Sequence, residues 1–467
     1  MQDKNSSNQF SSKIGLVAAT LGSAVGLGSI WRFPAEAQEN GGGAFLLVYL
    51  ACVLLLGIPV MVAEMSIGRS GGFSGVMRSG YGADSLRPKK NPWRGAIMFG
   101  VISSYMILTF YMVVAGWTFE YLVDSITGSL YSGVTSVTSD AGIEATFHNR
   151  MEEYIASDWA PLLSTWIVIG MNVGILMLGV KKGIERASNI MMPILFVLLL
   201  IFGIYALTLS GSAEGLKFFY RPDFSKFSWS MIVNALGQTF FSLSLGTGIL
   251  ITYASYYPRD TKLTRTSATV SLLTTVVALM MGMIIFPAIF TYGLDIHAVR
   301  GTTLVFVTLP EVFAKLPGSQ WWSILFFTLL LVSALTSTIS IAEVSVAFVQ
   351  RHFRRTRLQA TLIVLLPLMI FSSLCSLSFG RLADVSIFGL TIFNFLDTFT
   401  TNYMLPLTAL VGVVYIGWFS PAGTLRNEIT NYGSTDRIMS PIMQFIIRYP
   451  APILIFIILM TGIFGHR

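Results

Sequence analysis

The chain has 467 residues, 54% of them hydrophobic and 11% charged, with a mean hydropathy of +0.70 and a formal net charge of +7. Soluble domains carry about 25% charged residues, so a soluble enzyme or nucleic-acid binder is excluded. Apolar runs of about 20 residues, the length of a bilayer-crossing helix, recur along the chain; they are too continuous for the alternation of an outer-membrane barrel. These features predict an all-α polytopic membrane protein embedded in a lipid bilayer.

Hydropathy predicts eleven transmembrane segments, numbered in chain order: 14–37, 43–68, 95–124, 160–179, 187–210, 230–256, 264–293, 320–350, 357–377, 386–418 and 441–464. The polar N-terminus (MQDKNSSNQFSSK) lacks the short apolar core of a cleaved signal, so segment 1 reads as a retained helix. Eleven crossings put the termini on opposite sides. Twenty basic residues lie in the N-terminal tail and the loops on its side. The opposite loops hold seven: Arg150, Lys217, Arg221, Lys226, Arg300, Lys315 and Arg381. This asymmetry predicts a cytoplasmic N-terminus and a multi-pass protein of the cell membrane. The expected organisation is a tail (1–13), a first half (14–210), an outer loop (211–229), a second half (230–418), a cytoplasmic loop (419–440), and a last helix with the C-terminus (441–467).

Segment 1 contains Gly22, Gly26 and Gly28, and segment 6 contains Gly246 and Gly248; Pro59 and Pro287 follow in the next segments. Glycine clusters at matching places point to two five-helix halves of opposite topology, with helices 1 and 6 broken at mid-membrane around a central site. Simple helix packing through small residues is the alternative. Charges within the segments are Arg32, Glu64, Glu343 and Asp397, with Glu120 and Asp124 near a helix end. Each is costly in a bilayer and is either functional or half of a structural ion pair. Hydroxyls gather at Ser242 and Ser244, at Thr274 and Thr275, and at Ser333, Thr336, Ser337 and Thr338. They suit a hard cation that prefers oxygen, or they bond back to the preceding helical turn. Cys52 and Cys375 form no disulfide framework, and His148, His297, His352 and His466 are expected in loops or at the end, without metal-ligand spacing. With no HExxH, GxSxG or Walker motif, nothing supports an enzyme.

The motifs LGSAVGLGSIWRFP (21–34), ENGGGAF (39–45), KGIER (182–186), GQTFFSLSLGTGILITYASY (237–256), FVTLPEVF (306–313) and ALTSTISI (334–341) resemble the neurotransmitter:sodium symporter family, in its bacterial amino-acid branch. The resemblance runs over nearly the whole chain. It implies the inverted-repeat fold, for which a member of this family is a known example, and sodium-coupled amino-acid import by alternating access. By the same resemblance, the substrate carboxylate meets the amides of Leu27 and Gly28 and the Tyr111 hydroxyl, consistent with the free N–H groups of a helix N-terminus. The ammonium meets the carbonyls of Ala24, Phe241 and Ser242 and the hydroxyl of Ser244. The side chain sits among Ile107, Tyr111, Phe241, Ser244, Thr247, Ser337 and Ile341. One sodium site takes the carbonyls of Gly22, Val25 and Ser333 and the hydroxyls of Thr336 and Ser337. A second uses Ala24, Ser29, Ser242, the substrate carboxylate and, on helix 7, Thr274. Gly26 stands where amine-transporting relatives carry Asp, which favours a substrate bringing its own carboxylate. Arg32 and Asp397 match an outer gate pair.

The chain departs from the family pattern in three places. Ser29 replaces an Asn ligand of the second sodium site, and the Asn on helix 7 has no counterpart near Leu273 and Thr274. The N-terminal Arg-Trp pair is absent, with Ser7 and Phe10 in its place, and Arg351 stands at the position of its acidic partner, so the usual inner salt bridge cannot form; Asp3 and Lys4 are candidate substitutes. No carboxylate on helix 7 replaces chloride, which leaves chloride dependence open beside Tyr49, Gln238 and Ser242. A sensor that binds without transporting is the competing reading.

Overall fold

The computed structural model describes residues 9–26, 28–71, 93–134, 140–293, 301–434 and 438–464. The chain is almost entirely helical there, with one two-stranded hairpin. Among the described residues, eight continuous helices are long and apolar enough to cross a membrane: Gly43–Arg69, Met98–Thr127, Val180–Leu207, Leu263–Tyr292, Ser319–His352, Arg357–Leu377, Ile392–Phe419 and Met439–Ile463. These cover segments 2, 3, 5, 7, 8, 9, 10 and 11. Segment 4 is Ala160–Leu176, preceded at a sharp bend by an outer helix. Segments 1 and 6 are interrupted. Segment 1 is Lys13–Ala24 followed by Gly28–Glu39, bent by 59°. Segment 6 is Trp229–Ser242 followed by Ile249–Ala254.

The break in segment 6 is built into its sequence. Gly246 (φ +78°) and Gly248 (φ +77°) adopt left-handed conformations, and Ser244 (φ 54°) joins them. A side chain on Gly246 would place its Cβ 2.2 Å from the carbonyl oxygen of Leu405. Only glycine combines that backbone angle with that approach. The freed amide of Gly246 donates to Glu64 Oε1 of segment 2 (2.7 Å), which accounts for one buried intramembrane charge. In segment 1 the amide of Gly26 bonds Ala24 O (3.0 Å) rather than the carbonyl four residues back, which releases Gly22 O from the helical ladder.

Segments 3 and 8 pack extensively against each other, and segment 8 packs against the first arm of segment 1 and the second arm of segment 6. Leu54, Leu55, Leu200, Ile204, Leu366 and Ile370 are exposed on the outside of the bundle, an apolar surface suited to acyl chains.

Several expectations of loop are corrected. Helices Asp140–Ala156, Ser212–Tyr220 and Leu309–Ala314 lie in stretches between segments, where the apolar-run criterion cannot detect short or amphipathic helices. His148 is accordingly helical, next to Glu152 (3.1 Å), and His352 ends segment 8. His297 and His466 lie outside the described residues. Segment 10 starts at Ile392. The preceding Ser386–Ile387 and Leu390–Thr391 form an antiparallel hairpin, turned by Phe388 and Gly389 at positive φ. Asp124 pairs with Arg150 (2.8 Å) at the end of segment 3.

Candidate functional site

The two interruptions face each other. The Ser244 hydroxyl donates to Ser23 O (2.7 Å), and Gln238 Nε2 donates to Gly28 O (3.2 Å) and to Ser242 Oγ (2.9 Å). Between them lies a small cavity of about 40 Å³. Its wall includes Ala24, Gly28, Ile107, Tyr111, Phe241, Ser244, Thr247, Ser337 and Ile341, all expected from sequence. Gly26, singled out in sequence for its effect on substrate choice, also lines it, as do Ser23, Phe240, Ile249 and Leu405; these four were missed, although all but Leu405 stand within the quoted motifs. Ser242 does not line it, because its hydroxyl faces Gln238. Leu27 lies outside the described residues. Gly26 has no room for a side chain: a Cβ there would be 2.7 Å from Ser337 Oγ and 2.8 Å from the Tyr111 hydroxyl oxygen.

The hydroxyls of segment 8 separate the two uses that sequence left open. Thr338 bonds back to Leu335 O (3.1 Å) and, in segment 7, Thr275 to Ser271 O (2.8 Å). Ser333 and Ser337 instead reach across to segment 1. Ser333 Oγ donates to Val25 O (3.0 Å), and Ser337 Oγ to Gly22 O (3.4 Å). The Thr336 hydroxyl, like that of Thr338, donates to a carbonyl of its own helix, Ser333 O (2.9 Å). The carbonyls of Gly22, Val25 and Ser333 and the hydroxyls of Thr336 and Ser337 are thus a buried set where segments 1 and 8 meet, linked by hydrogen bonds in pairs. Its donor set is neutral and all-oxygen, which fits a hard monovalent cation.

The second expected sodium set is weaker. Ser29 Oγ is 3.5 Å from Ala24 O, so the short side chain turns to its own backbone. Ser242 Oγ accepts from Gln238. Thr274 Oγ1 and Gln238 Oε1 are buried without a hydrogen-bond partner among the described residues. The Tyr49 hydroxyl is buried beside Ser242 and Thr275.

Tyr111 and Phe241 also line a second, larger cavity of about 430 Å³, on the side away from the N-terminus, whose wall includes both Arg32 and Asp397. The expected gate pair is not in contact. Arg32 Nε lies 3.6 Å from Glu36 Oε1 and its guanidinium 4.8 Å from the centre of the Phe241 ring, while Asp397 Oδ1 accepts from Thr401 (3.3 Å).

On the side of the N-terminus, aromatic rings pack beneath segment 6. The Phe10 ring packs on Tyr253, Tyr256 and Tyr257 with centroids 5.8–6.4 Å apart. Glu185 of the KGIER motif accepts from the amides of Ser11 (2.8 Å) and Ser12 (3.1 Å) and from both hydroxyls (2.7 and 3.0 Å). Its carboxylate therefore holds the N-terminus of segment 1, where free amides and the helix dipole favour a negative charge. Arg351, in the place of the expected acidic residue, lies over the Tyr256 ring at 5.1 Å and donates to Ser255 Oγ (2.9 Å). Asp3, Lys4 and Ser7 lie outside the described residues. Glu343 pairs with Arg357 (2.6 and 2.8 Å) and accepts from the Tyr256 hydroxyl (2.6 Å), so it is a structural ion pair.

The chain matches the model of the sodium:neurotransmitter symporter family over residues 7–160 and 147–467. It is 34% identical over 453 residues to the uncharacterized sodium-dependent transporter YhdH of Bacillus subtilis, covering 97% of each chain. It is 33% identical over 463 residues to an uncharacterized sodium-dependent transporter of Haemophilus influenzae, covering 97% of this chain and 98% of that one. The crystal structure of MhsT in complex with L-phenylalanine superposes with a TM-score of 0.84 at 38% identity, covering 97% of this chain and 99% of MhsT. With nearly full-length matches on both criteria, the chain belongs to the sodium:neurotransmitter symporter family.

Proposed function

We propose that this protein imports an amino acid with an apolar side chain across the cell membrane, coupled to sodium, by alternating access, with its N-terminus in the cytoplasm. The observation that carries the reading is the buried oxygen cluster that joins segment 1 to segment 8 directly beside the small cavity. A sodium ion on Gly22, Val25, Ser333, Thr336 and Ser337 would tie the two helices together. The amide of Gly28 and the Tyr111 hydroxyl would take the substrate carboxylate, and Ile107, Phe241 and Ile341 the side chain. An apolar substrate is supported by those three residues and by the phenylalanine in MhsT. We assign coupling to this cluster rather than to the set at Ser29, whose hydroxyl is turned to Ala24 O. Closure of the outer side brings Arg32 to Asp397 over Tyr111 and Phe241, and opening of the inner side withdraws Phe10 and releases Ser11 and Ser12 from Glu185.

The test is uptake of a labelled apolar amino acid into proteoliposomes with an inward sodium gradient, competed by each of the 20 amino acids. Accumulation that requires sodium is expected. Undiminished uptake with choline in place of sodium would overturn the reading, and sodium-dependent binding without accumulation would favour the sensor.

A further inference from the structure

The face that carries the N-terminus holds a cavity of about 500 Å³ that shares no lining residue with the small central cavity or the outer ones. Met177, Leu178 and Gly179 at the end of segment 4 and Val180 at the start of the segment 5 helix form one wall. Tyr256 forms the floor, and Gln350, Arg351, Arg354, Arg355 and Arg357 close the rest. Four arginines therefore line one space. Glu343 faces them and is committed to Arg357 and the Tyr256 hydroxyl. Arg357 Nε is further fixed by Leu176 O (2.7 Å), and Arg351 by Ser255 Oγ and the Tyr256 ring. Arg354 and Arg355 are exposed and meet no carboxylate among the described residues. The positive-inside pattern accounts for basic residues on one side of a bilayer, but not for their convergence on a single cavity.

The flank of this cavity is apolar. Met177, Leu178 and Leu358 are all exposed on the outside of the bundle. A guanidinium fork matches the oxygens of a phosphate, and an apolar flank beside a basic pocket is the setting of a lipid whose headgroup is held while its chains lie along the protein. We propose that this cavity binds the phosphate of an anionic lipid headgroup, with Arg354 and Arg355 as the residues that recognise it.

The test is native mass spectrometry of the full-length protein with added phosphatidylglycerol or phosphatidylcholine. Selective retention of phosphatidylglycerol is expected. Arg354→Gln with Arg355→Gln lowers that retention about fivefold per arginine removed, from the usual strength of a basic residue at an anionic surface, and leaves the melting temperature unchanged. Arg259→Gln with Lys262→Gln, exposed basic residues outside the cavity, leaves retention intact. Equal retention of the two lipids, or an equal loss in both double variants, would overturn the site. Displacement of the lipid by inorganic phosphate at low millimolar concentration would overturn the lipid assignment in favour of a soluble phosphate.

Discussion

Replacing Gly26 with alanine tests the geometry of the central cavity. The new Cβ would lie 2.7 Å from Ser337 Oγ and 2.8 Å from the Tyr111 hydroxyl oxygen, inside the about 3.5 Å at which such atoms rest in contact. The next atom, Ser337 Cβ, is at 3.5 Å and tolerates it. The overlap is thus confined to two oxygens, both placed in binding roles. Overpacking of this size costs about 1–3 kcal/mol, so binding of a labelled apolar amino acid in the presence of sodium weakens about 5- to 150-fold. Tyr111→Phe alone weakens binding by about 1–3 kcal/mol through a lost hydrogen bond to a charged group. Because it also removes one of the two obstructing atoms, Gly26→Ala costs less in that background than in the native one, a non-additivity readable in a double-mutant cycle. Native affinity in Gly26→Ala refutes the crowding argument, and full additivity refutes the Tyr111 hydroxyl as an obstruction.

Three further outcomes are expected. Thr336→Ala combined with Ser337→Ala abolishes sodium-driven uptake while the protein still inserts and elutes as a monodisperse species; near-normal uptake would remove the cation from this cluster. Glu185→Ala strips four hydrogen bonds from Ser11 and Ser12; hydrogen exchange at the start of segment 1 then rises at least about tenfold, given the 1.5–3 kcal/mol typical of a bond to a charged group, and unchanged exchange would exclude Glu185 as the anchor. Uptake falls when chloride is replaced by gluconate, because segment 7 carries no carboxylate beside the buried Thr274, Gln238 and Tyr49 polar groups; unchanged uptake would count against an anion there.

The membrane-spanning architecture was legible because apolar runs report directly on the solvent they face. The breaks were legible as glycines, since a backbone at positive φ leaves a compositional trace at Gly246 and Gly248. What stayed hidden depends on side-chain direction. Ser333 and Thr338 read identically in a hydropathy profile, yet one reaches Val25 O and the other its own helix. The resemblance supplied the cavity-lining residues, but it could not say that Ser242 turns to Gln238 or that Arg32 rests on Phe241. The helix Asp140–Ala156 escaped because it is rich in charged and polar residues, and Ser212–Tyr220 because it is short of the length that a hydropathy search requires. The anchor at Glu185 had a sequence signal in KGIER, but its partners lie more than 170 residues away.

The bond from the Gly246 amide to Glu64 has a mechanical corollary. The carboxylate is fully enclosed and its other oxygen, Oε2, finds no donor among the described residues. Any rewinding of the kinked stretch around Gly246 would strip Glu64 of the sole dipole that steadies it. Helix 2 and the lower arm of helix 6 must then travel as one lever, or the stroke must wait until another donor, such as water, arrives to take the amide's place.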